Sequence, residues 1–557
     1  MKPMDALRTE QSINTSSFVA RVLILSFLGY WAFGKAFAYV GLFPLYIGEV
    51  LLVTGLLYLI HRGTIPIPNL ALFWFYALIF GVVIGQAGYS VLIMGQAPLE
   101  VLRNLAIIYY GLFALITYTL IVRSAGSDFY RNTVENLLPR AAPWILAAAT
   151  LTVIGGVFFV DALPQFPKTD SVTILLYKPT DSVMPLIVLM ALWIRGYLKT
   201  RWMVWTAGLL AIAAGRSRSA MLAAGVAVLA MIWRPTRRML NMIALGLVIF
   251  VVMLIADVRI DLGYREVSAR QFLANFSSLV GSDEAASGLD ATTTRNKDWR
   301  AAWWDSIYND AVDNNRYLIG LGWGSNLADE FGFQTEDSDI NALRNPHNAL
   351  LGILARGGWL TASLWVTFYL LLLYGLWQAA RAFDDDSARK DMAWVIMIYI
   401  VASQINGATD VFLESPQNAI PHWIVVGVAW ALIREAQLKN WATSPAMEMP
   451  DRGERNRQIG PDGARPAGIP RPVLPVLATQ VRTAHPCPAL SMASDPTTCG
   501  LVPREDHVCE YSADAPAGVD WQRRYCLGDY SGCPYWWAEQ QLQRKSEDQS
   551  AIDRVIV

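Results

Sequence analysis

The sequence predicts an all-α membrane protein with about twelve transmembrane helices, and two observations carry that expectation. The first is composition: of 557 residues, 54% are hydrophobic and only 16% are charged, whereas soluble domains run at about 45–50% apolar and about 25% charged. The second is the length of the apolar blocks, about 17–22 residues, which is what a helix needs to cross a hydrocarbon core. A mean hydropathy of +0.32 points the same way. The formal net charge of −1 gives no sign of a nucleic-acid partner, so membrane lipids are the expected surroundings.

The blocks fall at 18–34, 43–60, 70–88, 101–122, 142–160, 182–198, 202–214, 219–233, 239–256, 358–379, 391–408 and 419–435. The one at 202–214 is short enough to be tilted or broken. Arg21 and the AFA at 36–38 give the first block some features of a cleaved signal peptide. The many further blocks already explain insertion, so it is read as a span.

Lys and Arg in the short loops set the orientation. Arg62, the group Arg123, Arg131 and Arg140, the group Arg195, Lys199 and Arg201, the group Arg234, Arg237 and Arg238, and the group Arg381, Arg389 and Lys390 lie in alternate loops. They belong in the cytoplasm with Lys2 and Arg8, which places both termini there. The loops at 35–42, 89–100, 161–181, 215–218, 257–357 and 409–418 then face the other compartment.

Three regions follow: a membrane domain over 1–437, a large, mainly helical loop within it at 257–346, and a tail at 438–557. The tail is rich in Pro, Arg, Asp and Ser without sustained periodicity, the signature of a disordered cytoplasmic extension. It holds all five cysteines, Cys487, Cys499, Cys509, Cys526 and Cys533, with no CxxC among them. A zinc site is therefore weakly supported, and cytoplasmic thiols stay reduced. RPVLPVLAT has a polyproline composition.

Several polar residues stand out on the non-cytoplasmic side. Arg216 and Arg218, in AGRSRSA at 214–220, lie where the charge rule disfavours arginine. Either they snorkel to headgroups, or they form a fixed cationic site for a membrane-borne anion, since guanidinium binds phosphate bidentately and keeps its charge. Arg103, in LEVLRNL, lies at the outer end of the fourth span and has the same two readings. In the large loop, Trp299, Ala302, Trp303 and Ile307 recur at helical spacing. A cap at Thr294 or Asn296 would put Arg295 at the start of that helix. GLGWG at 320–324 permits close backbone approach. As a phosphate fingerprint it is weak, lacking the strand–loop–helix context.

RNPHNALLGILARGG, residues 344–358, places a histidine at the mouth of an apolar helix. Asn345 reads as the N-cap and Pro346 as the first helical residue. His347 then falls in the first turn, where the helix dipole favours the neutral, proton-accepting imidazole. The alternative is an interfacial capping histidine. His422, in NAIPHWIV, is a second histidine near that face, kept as second choice for a base and read first as an interfacial anchor of its helix. The acidic TEDSD (Glu336, Asp337, Asp339) has the chemistry to ligate a divalent cation, but without a spaced ligand motif it reads as a solvated loop, so no metal is expected. Asp410 and Glu414, in TDVFLES, orient an acceptor or pair with an arginine; the sequence leaves both readings open.

The ordered set GRSRSAMLA, Arg295 with Trp299 four residues on, GLGWG and PHNALLGILARGG resembles the O-antigen ligase and polymerase superfamily. The resemblance extends over about 18–436. It implies a bacterial inner-membrane enzyme that transfers a glycan from undecaprenyl pyrophosphate to an acceptor hydroxyl at the periplasmic face. The acceptor is the lipid A–core for ligases and another lipid-linked glycan for polymerases; related members glycosylate proteins. No nucleotide sugar or cofactor is implied and, for ligases, no metal.

The residues fit that chemistry. A departing pyrophosphate gathers negative charge, which preorganised cations stabilise; Arg218 and Arg295 lead, with Arg216 and Arg103 behind them. An acceptor hydroxyl needs a general base, the role given to His347. Trp299 and Asn348, beside Arg295 and His347, are taken as substrate contacts. Attack opposite the leaving group inverts the anomeric centre. The rival reading is a multi-span secondary transporter, but no internal repeat is seen and the charges gather at one face rather than at mid-membrane.

Overall fold

The computed structural model describes residues 22–42, 45–61, 70–124, 129–158, 179–215, 217–232, 236–261, 266–270, 273, 291–334 and 343–443, and short stretches at 490–492, 495–499, 507–509 and 515–516. The chain divides into two compact units, 1–436 and 437–557.

In the first unit the described residues of every expected apolar block are mainly helical. In chain order these are α1 (Val22–Phe33), α2 (Ile47–His61), α3 (Ala71–Leu92), α4 (Pro98–Asn104), α5 (Ala106–Val122), α6 (Leu138–Phe158), α7 (Val183–Ile194), α8 (Thr200–Gly215), α9 (Arg218–Ile232) and α10 (Arg237–Ile255). The soluble helix α11 (Ala291–Asp313) follows, then α12 (Ala349–Ala382), α13 (Ser387–Gly407) and α14 (Pro416–Thr443). Among the described residues, five helical stretches are long and apolar enough to cross a membrane, or six if α4 and α5, bent by 49°, form one broken span. Several of the others are apolar but shorter, so length and composition qualify about half of the expected spans.

The helices differ in how they are surrounded. Only 6% of the apolar window of α10 is buried, against 78% for α14. A helix that is apolar and uncovered on almost every side has lipid as its natural solvent. α14 instead runs through the core: Trp423 and Trp430 are buried, and the Tyr76 ring lies 5.1 Å from Trp423 and 5.9 Å from Trp430. His422 is part of this core rather than an interfacial anchor. Its ring is fully buried, with Nε2 2.8 Å from the Tyr369 hydroxyl and Nδ1 3.0 Å from Ser403 Oγ. Both nitrogens are satisfied by neighbouring helices, so it is unavailable as a base. At the far ends of α13 and α14, Arg389 pairs with Glu435 at 3.0 Å and Arg195 pairs with Asp391.

α12 departs from the sequence reading in two ways. Its N-cap is Asn348, whose side chain accepts from Leu351 N at 3.0 Å, not Asn345. His347 therefore precedes the helix, with φ +55, rather than lying in its first turn, and the dipole argument for its protonation state lapses. α12 is also broken at Gly358, which has φ 75. A break strands carbonyls on one side and N–H groups on the other. The loop after α11 supplies their partners: Leu321 N donates to Ala355 O (2.7 Å), Gly322 N to Arg356 O (3.2 Å), Trp359 N to Arg316 O (2.9 Å) and Leu360 N to Tyr317 O (2.8 Å). From α3, Gln86 Nε2 donates to Leu318 O (2.6 Å) and Gly357 O (2.8 Å), while its Oε1 accepts from Trp323 Nε1 (3.0 Å) and Thr361 Oγ1 (3.0 Å). All the bonding positions of this buried amide are filled. The close approach foreseen for GLGWG is thus to a broken helix.

α11 begins at Ala291, so Arg295 lies beyond its start, and Thr294 and Asn296 lie inside the helix rather than capping it. Its buried stripe is Trp303, Ile307 and Ala311 with half-buried Trp299; Ala302 is exposed. Trp303 stacks on Phe333 at 5.5 Å, in a small core with Leu327 and Ala355. The hairpin β1 (Gly41–Leu42) and β2 (Leu45–Tyr46) lies between α1 and α2, and β3 (Arg259–Asp261) pairs with β4 (Glu266–Ser268) after α10.

In the second unit, expected to lack regular structure, the described residues form four short strands: β5 (Leu490–Met492), β6 (Asp495–Cys499), β7 (His507–Cys509) and β8 (Ala515–Pro516). They pair antiparallel in the order β6-β5-β7-β8.

Candidate active site

A cavity of about 860 Å³ opens where α4, the first turns of α12 and the loop between α13 and α14 meet. Each wall has a local cause. Pro98 starts α4 at a position where a missing N–H costs nothing, and the helix stops after seven residues because the chain bends by 49° into α5. Arg103 sits in its last turn, and Asn104 Nδ2 anchors that turn by donating to Trp323 O at 2.6 Å. Among the described residues Arg103 has no ion-pair or hydrogen-bond partner, and it lines the cavity.

α11 holds two further walls. Trp304 Nε1 donates to Pro346 O at 2.7 Å, and Arg300 Nη1 donates to Thr409 O at 3.3 Å. These bonds fix the segments carrying His347 and Asp410. His347 Nδ1 lies 3.4 Å from Asp410 Oδ1, with 22% of the histidine side chain exposed. The Asp410 carboxylate is itself oriented, since Oδ1 accepts from Val411 N at 2.9 Å. A left-handed backbone at a non-glycine residue costs about 1–2 kcal/mol, so the φ of His347 is imposed by its neighbours.

Buried charges complete the wall. Arg356 is 3% exposed. Its Nη2 donates to Asn345 Oδ1 (2.6 Å) and Arg344 O (3.3 Å), and its Nε donates to Ser325 O (3.4 Å). Glu414 faces it. Burial pushes the Glu414 carboxyl up to about 7; Arg356 opposes that rise and Asp410 adds to it. Gly352 makes room for this carboxyl: a Cβ there would lie 2.8 Å from Glu414 Oε1. Arg344 pairs with Glu100 at 2.5 Å. Burial holds the Arg344 guanidinium below its ordinary pKa; Glu100 raises it and Arg103 lowers it further. Among the described residues no group of three or more His, Cys, Asp or Glu is placed to hold a metal ion.

Of the residues singled out from the sequence, Arg103 and His347 meet on this cavity, together with Asp410 and Glu414. Arg218 begins α9 and Arg295 lies in α11, with their side chains outside the described residues, as are Arg216 and the acidic run Glu336, Asp337 and Asp339. Trp299 does not line the cavity; its ring packs 5.3 Å from Trp303 and 6.0 Å from Phe333. The Asn348 side chain is occupied in capping α12. Sequence reasoning missed Arg344 and Arg356, although both stand in RNPHNALLGILARGG. For Arg356 the available signal was an arginine inside an otherwise apolar helix, which needs a partner or a function; Arg344 lies ahead of that helix.

Residues 202–366 match the family model described as O-Antigen ligase. No curated protein matches the chain. The matched segment contains Arg218, Arg295, His347 and Arg356, while Arg103, Asp410 and Glu414 come from outside it. The match covers less than a third of the chain, and with the apolar helices and the motif order it supports the O-antigen ligase and polymerase superfamily as the one this multi-pass membrane chain is similar to.

Proposed function

We propose that this protein is a membrane glycosyltransferase of surface-polysaccharide assembly, passing a glycan from undecaprenyl pyrophosphate to an acceptor hydroxyl in the cavity beside the break in α12. The observation that carries the reading is the meeting of a histidine, paired with a carboxylate, and several arginines on one cavity. Asp410, bonded to Nδ1 of His347, leaves Nε2 to take the proton of the acceptor hydroxyl. The hydroxyl oxygen forms a bond to C1 of the donor sugar as the C1–O bond to pyrophosphate breaks, with inversion. The leaving group carries away the electron pair, and Arg103, Arg344 and Arg356 meet its growing charge. Arg216, Arg218 and Arg295 are assigned to the same anion. Trp299 and Asn348 serve the site by packing α11 and capping α12 rather than by touching substrate. The acceptor is lipid A–core or another lipid-linked glycan. The cavity opens to the periplasm, with both termini in the cytoplasm of a bacterial inner membrane.

A clean deletion, complemented with the full chain, tests this reading through the surface polysaccharide and the lipid-linked intermediates. Long glycans held on undecaprenyl pyrophosphate, with none on lipid A–core, mark a ligase. A single repeat unit on the acceptor marks a polymerase. Unchanged polysaccharide and lipid-linked pools overturn the reading.

Glu414 gives the site a pH dependence. Its raised pKa leaves the carboxyl neutral below about 7. Above that it becomes an anion beside Arg356, cancelling positive charge and repelling pyrophosphate. Binding of farnesyl pyrophosphate therefore weakens as pH rises through 7, by roughly tenfold for a nearby charge under partial screening. Glu414→Gln flattens this dependence. Equal slopes for wild type and variant, measured by titration calorimetry, would refute the assignment.

A further inference from the structure

The arginines line only part of the cavity, and the remaining polar lining is of a different kind. Lys35, Tyr39, Tyr46, Glu49, Tyr109 and Tyr110 all face it. The hairpin β1–β2 brings two of the tyrosines together: Ile47 N donates to Val40 O at 2.8 Å across its base, and the Tyr39 and Tyr46 rings lie 5.3 Å apart. Glu49, in the first turn of α2, is the hub. Its Oε1 accepts from the Tyr110 hydroxyl at 2.5 Å and lies 3.4 Å from that of Tyr109, and its Oε2 accepts from Tyr46 N at 3.2 Å. Tyr39, Tyr46 and Tyr109 are each half-buried and line the cavity, with the Lys35 ammonium 5.7 Å from the Tyr39 ring centroid.

This combination does not suit a phosphate, because Glu49 offsets Lys35 and the tyrosines add no charge. It suits a pyranose ring. Such a ring has an apolar face of C–H groups and a rim of hydroxyls. An open aromatic face covers the first and a fixed carboxylate with spare lone pairs accepts from the second. We propose that Tyr39, Tyr46, Tyr109 and Glu49 form a carbohydrate subsite that holds a sugar unit of the glycan, separate from the arginines that hold pyrophosphate. The assignment rests on the glycan-transfer reading above. The sugar belongs either to the donor or to the acceptor glycan, since both present the same chemistry.

The test uses the full chain in detergent and, as probe, the oligosaccharide released by mild acid from the host's own surface polysaccharide. Saturation-transfer NMR is expected to show it bound to wild type. The Tyr39→Ala/Tyr46→Ala pair weakens it by about 10-fold or more, as expected for loss of two ring contacts. The Tyr39→Phe/Tyr46→Phe pair, which keeps the rings, stays within about 3-fold of wild type on the same grounds. Should the alanine pair fail to fold, Glu49→Gln carries the test: it keeps the shape, removes the anionic acceptor and weakens binding several-fold. In a transfer assay, a KM raised for the lipid-linked donor alone assigns the sugar to the donor, and one raised for the acceptor alone assigns it to the acceptor. If the oligosaccharide binds and the substitutions release it but no transfer is found, the subsite stands and the transfer reading falls. If transfer is found while wild type binds no oligosaccharide, or the folded variants bind like wild type, the subsite is overturned.

Discussion

Replacing His347 by asparagine is expected to lower glycan transfer by about 10²–10⁴-fold, the range for losing a general base, while leaving the protein folded and able to bind farnesyl pyrophosphate. Asparagine is the informative substitution because of the backbone. His347 has φ +55, a conformation in which asparagine is several-fold enriched over other non-glycine residues. Alanine there would combine loss of the imidazole with about 1–2 kcal/mol of backbone strain, so a weak His347→Ala variant would leave chemistry and folding mixed. The ring is 22% exposed, and its one hydrogen bond among the described residues is to Asp410. The segment is held instead by Trp304 Nε1 on Pro346 O and by the cap of Asn348 on Leu351 N, neither of which involves the imidazole. Initial rates with a lipid-linked donor, alongside pyrophosphate binding, check this. Full activity in His347→Asn would mean the histidine is structural and the base lies elsewhere.

The features legible in the sequence were those set by local chemistry. The apolar blocks fixed the helices because the backbone in lipid must bond internally, and the helix of the large loop followed from the spacing of Trp299, Trp303 and Ile307. The start of α12 was misread because two asparagines compete for one role. Asn345 and Asn348 are equally good caps in isolation, and the choice falls to Arg356, whose guanidinium takes Asn345 Oδ1 at 2.6 Å and leaves Asn348 to cap. That contact crosses two turns of helix and has no local signature. The same holds for His422, whose partners Tyr369 and Ser403 come from α12 and α13. The cavity itself is assembled from α4, α12 and the segment before α14, so only its pieces, Arg103, His347, Asp410 and Glu414, were visible one at a time. The break at Gly358 was hidden too. A glycine in an apolar stretch announces freedom, but only the docked loop shows that the freedom is used.

That docked loop yields the largest expected loss of stability, from Gly320→Ala. A Cβ at this position would lie 2.1 Å from Ala355 O, 2.7 Å from Ala355 C and 2.8 Å from Arg356 C. All three atoms belong to the backbone of α12, so no side chain can swing aside. The loop must retreat, and the bonds from Leu321 N to Ala355 O and from Gly322 N to Arg356 O go with it. Each buried group left unpaired costs about 1–3 kcal/mol. Trp323 is drawn away from Gln86 and Ser90, which hold its indole and its backbone. Arg356 follows its own turn of helix, so a cation lining the cavity is displaced together with the fold. The expected result is a thermal midpoint lowered by several degrees or a failure to accumulate, with transfer activity lost in either case. Gly81→Ala is the control. Nothing lies within 4 Å of a Cβ there, and alanine in a helix is better than glycine by about 0.5–1 kcal/mol. A Gly320→Ala protein with a midpoint within about 2 °C of wild type and full activity would show that the GLGWG loop does not close the break in α12, and that Arg356 owes its position to something else.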